Sequence, residues 1–251
     1  MTLIILGCGT STGVPLIGCH CPVCSSGDER NRRTRSSVLI GINGKNVLID
    51  TATDLRAQAI ANRVERVDAV LYTHPHADHI HGIDDLRSFN MAQGCAIPCY
   101  GNAATMERIR SIFSYIFRDD AADGWKPDLS TTVVDGPFVL FGAVVTPVPV
   151  MHGPMRILGY RVGDAAYLTD CSGIPEESVG LLQGLDVLII GALREKPHPT
   201  HFTIQQAVEA ASLIKARRTI LTHMGHNVDY VSASASLPKG VELGYDGMRV
   251  G

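Results

Sequence analysis

The amino-acid sequence predicts an α/β protein in which two β-sheets pack face to face and helices cover their outer faces. Three observations indicate this class. Short apolar runs alternate with helical patterns along the chain. Each half of the chain gives several strands followed by helices. A chain of 251 residues with 45% hydrophobic content can bury one sizeable core, so we expect a single domain over residues 1–251.

The first half is expected to form a hairpin followed by alternating strands and helices. Strands are predicted over residues 3–6, 36–42 and 46–50, and Asn43 and Gly44 between the last two favour a hairpin turn. A helix is predicted over 55–64, a buried strand over 68–74, and helices over 84–91 and 104–117. The strand over 68–74 ends at a group of histidines.

The second half begins with strands near Thr131, in TTVVD, FVLFGAVVTPVPV, GYRVG and AAYLTD. A buried strand follows over 185–193, then a helix over 203–216 with apolar residues on one face, and a strand over 217–223. The loop over 118–130 has the least pattern, and it is either a lid or a plain connection.

Charge and composition limit the classes of partner. The net charge of −3 argues against a protein that coats nucleic acid, because such proteins carry a basic excess. The one basic run, residues 29–35, is interpreted as a solvated loop rather than a phosphate-contacting patch. The N-terminal apolar run is short and has no preceding positive charge, so we expect neither a signal peptide nor a membrane segment. A cytoplasmic protein without a membrane partner is therefore predicted.

Five side chains that can bind metal follow the strand over 68–74. They are His74, His76, Asp78, His79 and His81. Their spacing does not fit one face of a helix, where metal-binding pairs are three or four residues apart, but a loop after a strand lets them converge. His74 and His76 can then serve one ion while Asp78 and His79 serve a second.

Three more predicted strands end in residues of the same type: His152, Asp170 and His223. Such a recurrence is hard to attribute to chance, so the sequence predicts that these strand ends meet around metal ions. Mixed imidazole and carboxylate ligands suit zinc, manganese or iron alike, and the identity of the metal stays open.

The seven cysteines indicate a second kind of site. Cys19, Cys21 and Cys24 fall in one short segment, and in a reducing compartment this clustering favours metal binding over disulfides. The others are expected to pack as small apolar residues: Cys8, Cys95, Cys99 and Cys171.

The ordered set of histidines and aspartates resembles the metallo-β-lactamase superfamily in its two-metal hydrolase branch. The resemblance implies a four-layer αββα sandwich, the metallo-β-lactamase fold, with a dinuclear site at one edge. It also implies roles: His74, His76 and His152 on one metal, Asp78, His79 and His223 on the other, and Asp170 as the bridge. Asp50 matches the family's buried supporting aspartate, whereas His81 matches no ligand and is interpreted as a residue at a helix start.

A narrower likeness spans nearly the whole chain. The segments GTSTGVP (9–15), GCHCPVC (18–24), GYDGM (244–248) and THMGH (222–226) resemble the cyclic-phosphate phosphodiesterases of the carbon–phosphorus lyase pathway. This resemblance implies a structural zinc on Cys19, Cys21, Cys24 and His226, in a finger-like loop over about 18–35. Three thiolates and one imidazole form a closed tetrahedral shell. His20 has no matching role, and we expect it to be exposed.

The predicted activity is hydrolysis of a small phosphodiester, such as a cyclic ribose phosphate or a nucleotide-like diester. Two divalent ions (Mn, Zn or Fe) about 3.5–4 Å apart would activate a bridging hydroxide and stabilise an in-line displacement at phosphorus. His201 matches a family histidine at the active-site edge and is the candidate general acid, with His198 as the alternative. Asp78 is assigned a catalytic role besides its place as a ligand.

Other functions remain open from the sequence. A tRNA 3′-processing nuclease, a lactonase or a thioesterase would use the same chemistry, although one Trp and 6% aromatic residues disfavour a large RNA. A metal or nucleotide-binding protein without catalysis and a di-iron redox protein are further alternatives. A homodimer is also possible. The glycines of GCGTSTG are not a dinucleotide fingerprint, because Pro15 and the finger leave no helix N-terminus to face a pyrophosphate.

Overall fold

The computed structural model describes residues 1–118 and 126–251. Residues 119–125, on which the choice between a lid and a connection mostly falls, lie outside the described residues. Within the described ranges, two seven-stranded sheets form the centre of the molecule.

The first sheet contains β1 (Thr2–Gly7), β2 (Ser37–Ile42), β3 (Lys45–Ile49), β4 (Ala69–Leu71), β5 (Ile97–Gly101), β6 (Leu129–Val133) and β14 (Arg249–Val250). The second contains β7 (Phe138–Leu140), β8 (Ala143–His152), β9 (Met155–Val162), β10 (Ala165–Leu168), β11 (Val187–Gly191), β12 (Arg218–Thr222) and β13 (Val241–Leu243). Their orders are β14-β1-β2-β3-β4-β5-β6 and β13-β12-β11-β10-β9-β8-β7.

Strand direction brings the chemistry-bearing residues to one edge. In the first sheet β3 to β6 are parallel, and in the second sheet β10 to β13 are parallel. The antiparallel pairs β8–β9 and β9–β10 make β8 point the same way as β10. Because carboxyl ends of parallel strands meet at the same edge of a sheet, side chains that follow these strands can gather there.

The helices are α1 (Leu55–Asn62), α2 (Ala77–Ile80), α3 (Leu86–Gln93), α4 (Ala103–Ile112), α5 (Glu176–Leu181), α6 (Ile204–Ile214) and α7 (Tyr230–Ser236). Single 3₁₀ turns lie at Glu29–Asn31, Ile83–Asp85 and Ser114–Phe117. None of the helices in the described residues combines the length and apolar character that a bilayer span requires. The cytoplasmic location stays a prediction.

The inner strands of the first sheet, β2 to β4, bury both faces. Leu39, Leu48 and Val70 pack with apolar residues of α1, α3 and α4 in one cluster. Their sequence neighbours Ile40 and Ile49 belong instead to the cluster between the sheets, together with residues of β8 to β12. This alternation is the period of two expected of strands covered on both sides. It confirms the predicted αββα sandwich, and because both sheets share a core we infer a single domain.

Several elements differ from the prediction in extent. The strand expected over 68–74 ends at Leu71, and the long run after Phe138 is a hairpin that turns at Phe141 and Gly142, both with positive φ. The helix expected over 104–117 ends at Ile112, before a 3₁₀ turn. The sequence patterns did not predict α2, α5, α7, β5, β13 or β14. The segments of α5 and α7 are short and rich in Glu or Ser, β5 contains Pro98, and the other three elements span four residues or fewer.

Three side-chain interpretations are also corrected. His81 ends α2 instead of starting a helix, and its ring packs edge-on against Phe113. Cys95 is exposed rather than packed. The basic run is not uniformly solvated, because the Arg33 side chain is buried. His20 is exposed, as expected.

The carboxylate of Asp246, which is half-buried, explains the GYDGM segment. Asp246 accepts hydrogen bonds from the Cys8 amide (3.0 Å), the Thr34 amide (2.7 Å) and the Thr34 hydroxyl (2.6 Å). Gly247 adopts a φ of 86°, which favours glycine. The segment therefore joins the C-terminal region to the end of β1 and the entry to β2.

Candidate metal centre

The predicted ligands lie at one edge of the sandwich, directly after strands of both sheets. The loop from His74 follows β4, whereas His152 ends β8, and Asp170 and His223 follow β10 and β12. Asp170 and His223, like Asp50 after β3, adopt left-handed backbone conformations, with φ of 53°, 58° and 63°. Each such residue costs on the order of 1–3 kcal/mol, so its contacts must hold it in place.

One group at this edge consists of His74, His76, His152 and Asp170, whose ligand atoms all lie within 4.8 Å of one another. The Thr73 hydroxyl contacts Nδ1 of His74 at 2.9 Å, and Nδ1 of His152 lies 2.7 Å from the carbonyl oxygen of Asp170. These contacts leave the Nε2 atoms to face the group. Burial lowers the pKa of His74 and of His76, which favours the neutral imidazole that binds metals.

A second group consists of Asp78, His79, Asp170 and His223. Nε2 of His79 lies 3.2 Å from Asp78 Oδ2 and 3.3 Å from Asp170 Oδ1. Nε2 of His223 lies 3.2 Å from Asp170 Oδ1 and 3.6 Å from Asp78 Oδ2. Ligand atoms about 2.0–2.1 Å from a tetrahedral ion are separated by about 3.3 Å, so this spacing fits a shared ion.

Buried atoms without a partner support the same interpretation. Among the described residues, no hydrogen bond reaches Nε2 of His74, His79 or His223, or Oδ2 of Asp78. Burial alone would lower the pKa of His79, but the carboxylates of Asp170, Asp78 and Asp50 raise it well above its usual value. The site is therefore short of positive charge, which a divalent cation would supply.

Asp50 supports the centre from behind. Its Oδ2 lies 2.7 Å from Nδ1 of His79, and it accepts hydrogen bonds from the amide and the hydroxyl of Thr73, both at 2.8 Å. These contacts orient His79 and fix the start of the histidine loop. Outer contacts of this kind set the tautomer of a ligating imidazole.

His201 lies between the two groups. Its ring stacks on His223, with centroids 4.9 Å apart, and meets His152 edge-on at 4.8 Å. Burial, followed by the neighbouring His223, lowers the pKa of His201 to about 3. His198 lies 5.0 Å from His201 and contacts Thr200 through Nδ1, so it is one ring further from the centre.

The three finger cysteines surround His226 on the segment that follows β12. Their Sγ atoms lie 3.4 Å (Cys19), 3.5 Å (Cys21) and 3.7 Å (Cys24) from Nδ1 of His226. A tetrahedral zinc ion separates sulphur and nitrogen ligands by about 3.5 Å. The Cys24 amide, followed by His226, lowers the pKa of the Cys21 thiol to about 6. The four side chains thus fit a structural zinc, and their roles as ligands stay predictions.

Sequence reasoning missed the threonines of the centre. Thr73, Thr169 and Thr222 each directly precede a predicted ligand, and the Thr169 hydroxyl donates to Asp170 Oδ1 at 2.5 Å. The recurrence of threonine before histidine or aspartate at three strand ends was the signal that could have found them. The carbonyl oxygen of Thr200, 2.8 Å from Nδ1 of His152, had no such signal.

The chain matches the family described as "Beta-lactamase superfamily domain" over residues 45–224. It is 44% identical to a crystal structure described as a new diphosphatase from the PhnP family, with a TM-score of 0.93, covering 100% of this chain and 97% of that one. Zn²⁺-bound PqqB from Methylobacterium extorquens has the same fold, at a TM-score of 0.79 and 23% identity over the full length of both chains.

A curated relative carries a different name. The octanoyltransferase of Porphyromonas gingivalis is 40% identical over 254 residues, which cover 99% of this chain and 51% of that protein. The chain therefore spans about half the length of this relative.

We predict that Asp170→Ala loses metal from both groups, because one carboxylate faces His74 in the first and His79 and His223 in the second. Metal content per chain after loading and dialysis is the measurement. Asp164→Ala is the matched control, since Asp164 lies exposed just before the other end of β10. An Asp170→Ala protein that retains the full metal content would show that Asp170 is not shared.

Cys21→Ser is expected to lower the bound zinc and the melting temperature, because zinc binding is coupled to ordering of the finger loop. Hydrolysis with added manganese should be partly retained. The exposed Cys95→Ser is the control. If Cys21→Ser keeps wild-type zinc content and melting temperature, the three cysteines are packing residues.

Proposed function

Because the chain belongs to the β-lactamase superfamily, we propose that it is a metal-dependent hydrolase that cleaves a small phosphodiester or a diphosphate with esterified ends. The observation that carries this proposal is the position of Asp170 between the two groups. Its Oδ2 faces Nε2 of His74 at 3.7 Å, and its Oδ1 faces His79 and His223 at 3.3 and 3.2 Å. A carboxylate shared in this way suits two ions held a few ångströms apart.

A bound pair of divalent ions would supply an activated water and offset the charge that develops in an in-line displacement at phosphorus. The residues of the chain hold and orient this pair. His74, His76 and His152 would bind one ion, Asp78, His79 and His223 the other, and Asp170 both. Zinc, manganese and iron all fit such ligands.

His201 is assigned the role of general acid. Its ring contacts His152 of the first group and His223 of the second, so it lies beside both halves of the centre. Burial lowers the pKa of its imidazole to about 3. An anionic substrate favours the charged imidazole, so His201 would take up a proton as the substrate enters and donate it to the leaving oxygen.

The side chains around the centre favour a singly charged phosphorus group. They are imidazoles and carboxylates, and such a set suits a diester better than a dianionic monoester. The similar PhnP-family protein is named a diphosphatase. In a diphosphate with esterified ends, each phosphorus also carries one ionised oxygen. One site of this type could therefore accept cyclic ribose phosphates and diphosphates.

Octanoyl transfer is the activity in the name of the Porphyromonas protein, of which this chain covers only 51%. Acyl transfer through a thiol requires an accessible thiolate. Cys171, next to Asp170, is buried, and burial raises its pKa to about 12. Burial also raises the pKa of Cys8 well above its usual value. Neither thiol is a suitable nucleophile, but the metal centre could still hydrolyse a thioester.

The substrate class is tested by kcat/KM on matched compounds with the metal-loaded protein. We expect a cyclic ribose phosphate, a dinucleoside diphosphate and an aryl phosphodiester to exceed an aryl phosphomonoester at least about tenfold, since the described side chains around the centre are imidazoles and carboxylates, which do not favour a second negative charge. Asp170→Ala is the inactive control. Faster turnover of the monoester, of a lactone or of an octanoyl thioester would overturn the assignment.

The role of His201 predicts a dependence on the leaving group. With an alkoxide leaving group, His201→Asn should lower kcat by about 10²-fold or more, whereas a nitrophenolate leaves without protonation and should show little loss. His198→Asn is the matched comparison, because His198 lies one ring further out. An equal loss for both leaving groups would exclude general acid catalysis by His201, and a larger loss in His198→Asn would transfer the role to that residue.

A further inference from the structure

The segment over residues 223–228 carries one member of the second metal group and one member of the finger. His223 belongs to the group with Asp78, His79 and Asp170, and His226, three residues later, belongs to the finger. Any force that positions this segment therefore acts on both sites. His223 has a φ of 58°, and such a backbone conformation persists only when its neighbours over-determine it.

Arg33 holds this segment at two points. Its Nη1 donates to the Gly225 carbonyl at 3.1 Å, and its Nη2 donates to the Val228 carbonyl at 2.8 Å. These carbonyls lie on either side of His226. The planar guanidinium therefore fixes the turn that contains His226. The first of the two carbonyls, that of Gly225, lies only two residues after His223 of the metal centre.

The guanidinium of Arg33 is buried and is held by specific hydrogen bonds. Its side chain is only 2% exposed, and among the described residues no carboxylate lies within ion-pair distance of it. Nη2 also donates to Oδ1 of Asn31 at 3.0 Å, and the same oxygen accepts from the Tyr230 amide at 2.9 Å. Burying a cation costs free energy unless polar groups replace the lost water. Here the carbonyl oxygens of Gly225 and Val228 accept hydrogen bonds from the guanidinium and offset part of that cost.

Arg33 is equally fixed to the chain that leads into the finger. Its amide donates to the Val14 carbonyl at 2.7 Å, and its carbonyl accepts from the Val14 amide at 2.8 Å. Cys19 follows this loop a few residues later, and the Leu16 amide contacts Sγ of Cys24 at 3.3 Å. The main chain of Arg33 thus meets the cysteine side of the finger, and its side chain meets the histidine side.

We propose that Arg33 is a positioning residue that couples the finger to the catalytic centre, because its guanidinium fixes the segment that carries both His223 and His226. The inference rests on the proposed metal sites. Loss of the guanidinium frees the carbonyls on both sides of His226 and loosens the backbone after His223. The affinities of both sites for metal then fall together, by about 10–100-fold as for other residues that orient ligands.

The test uses Co²⁺ as the probe, because cobalt bound to thiolates absorbs through sulphur-to-metal charge transfer. In a titration of the metal-free protein with Co²⁺, this band reports binding at the finger. Binding at the centre, which has no thiolate ligand, does not contribute to the band and is measured separately. In Arg33→Met we expect both affinities to fall by at least about tenfold. Arg32→Met is the matched control, since Arg32 is exposed and, within the described part of the chain, its side chain pairs only with the exposed Glu29, at 3.4 Å.

Arg33→Lys keeps the buried charge but cannot span two carbonyls with a planar fork, so it decides the matter if Arg33→Met does not fold. We expect Arg33→Lys to lose affinity at both sites as well. Wild-type affinities at both sites, with or without a lower melting temperature of the metal-free protein, would overturn the proposal and leave Arg33 a purely structural residue.

A double-mutant cycle tests the coupling itself. Cys21→Ser should weaken Co²⁺ binding at the catalytic centre in the wild-type background but have little further effect in Arg33→Met, since residues that act as one unit are not additive. If Cys21→Ser weakens the centre equally in both backgrounds, the coupling runs along the main chain and the proposal fails. These readouts need no substrate, so they stand even if the proposed hydrolase activity is absent.

Discussion

Negative charge buried at one edge of two packed sheets is the constraint on which the rest of the structure depends. Asp50, Asp78 and Asp170 are each less than a tenth exposed, and a buried carboxylate is tolerated only when hydrogen bonds or cations compensate it. Asp50 finds its compensation in Thr73 and His79. Asp78 and Asp170 meet imidazole nitrogens at distances that suit a shared ion better than a direct hydrogen bond. The fold is therefore arranged around an expected cation.

The sandwich provides the rigidity that this arrangement needs. Asp50, Asp170 and His223 have left-handed backbones at the ends of β3, β10 and β12, and each of these strands is buried on both faces. Packing on both sides prevents the strands from shifting to relieve the strain. This edge is thus held by the hydrophobic core beneath it, and a neighbouring threonine or carbonyl oxygen contacts His74, His152 and Asp170.

The segment after β12 connects the finger to the metal centre. His226 belongs to the finger and His223 to the centre, and only two residues separate them. Arg33, Asn31 and Asp246 join the entry to β2 to the segments after β12 and near the C-terminus. Hydrogen bonds in such a network polarise and strengthen one another. For this reason we expect ordering of the finger and ordering of the centre to be coupled.

The sequence by itself determined the strand and helix alternation, the αββα class and the residue types at the strand ends, because apolar periodicity and ligand chemistry are local properties. It could not determine that β4 stops at Leu71, or that the polar α5 and α7 are helices, because these depend on contacts distant in the chain. From the sequence, Arg33 was predicted to be one residue of a solvated basic run. Only the tertiary structure buried that guanidinium, since the carbonyls of Gly225 and Val228 that receive it lie almost two hundred residues away. Long-range hydrogen bonds decide such positions, and no local pattern encodes them.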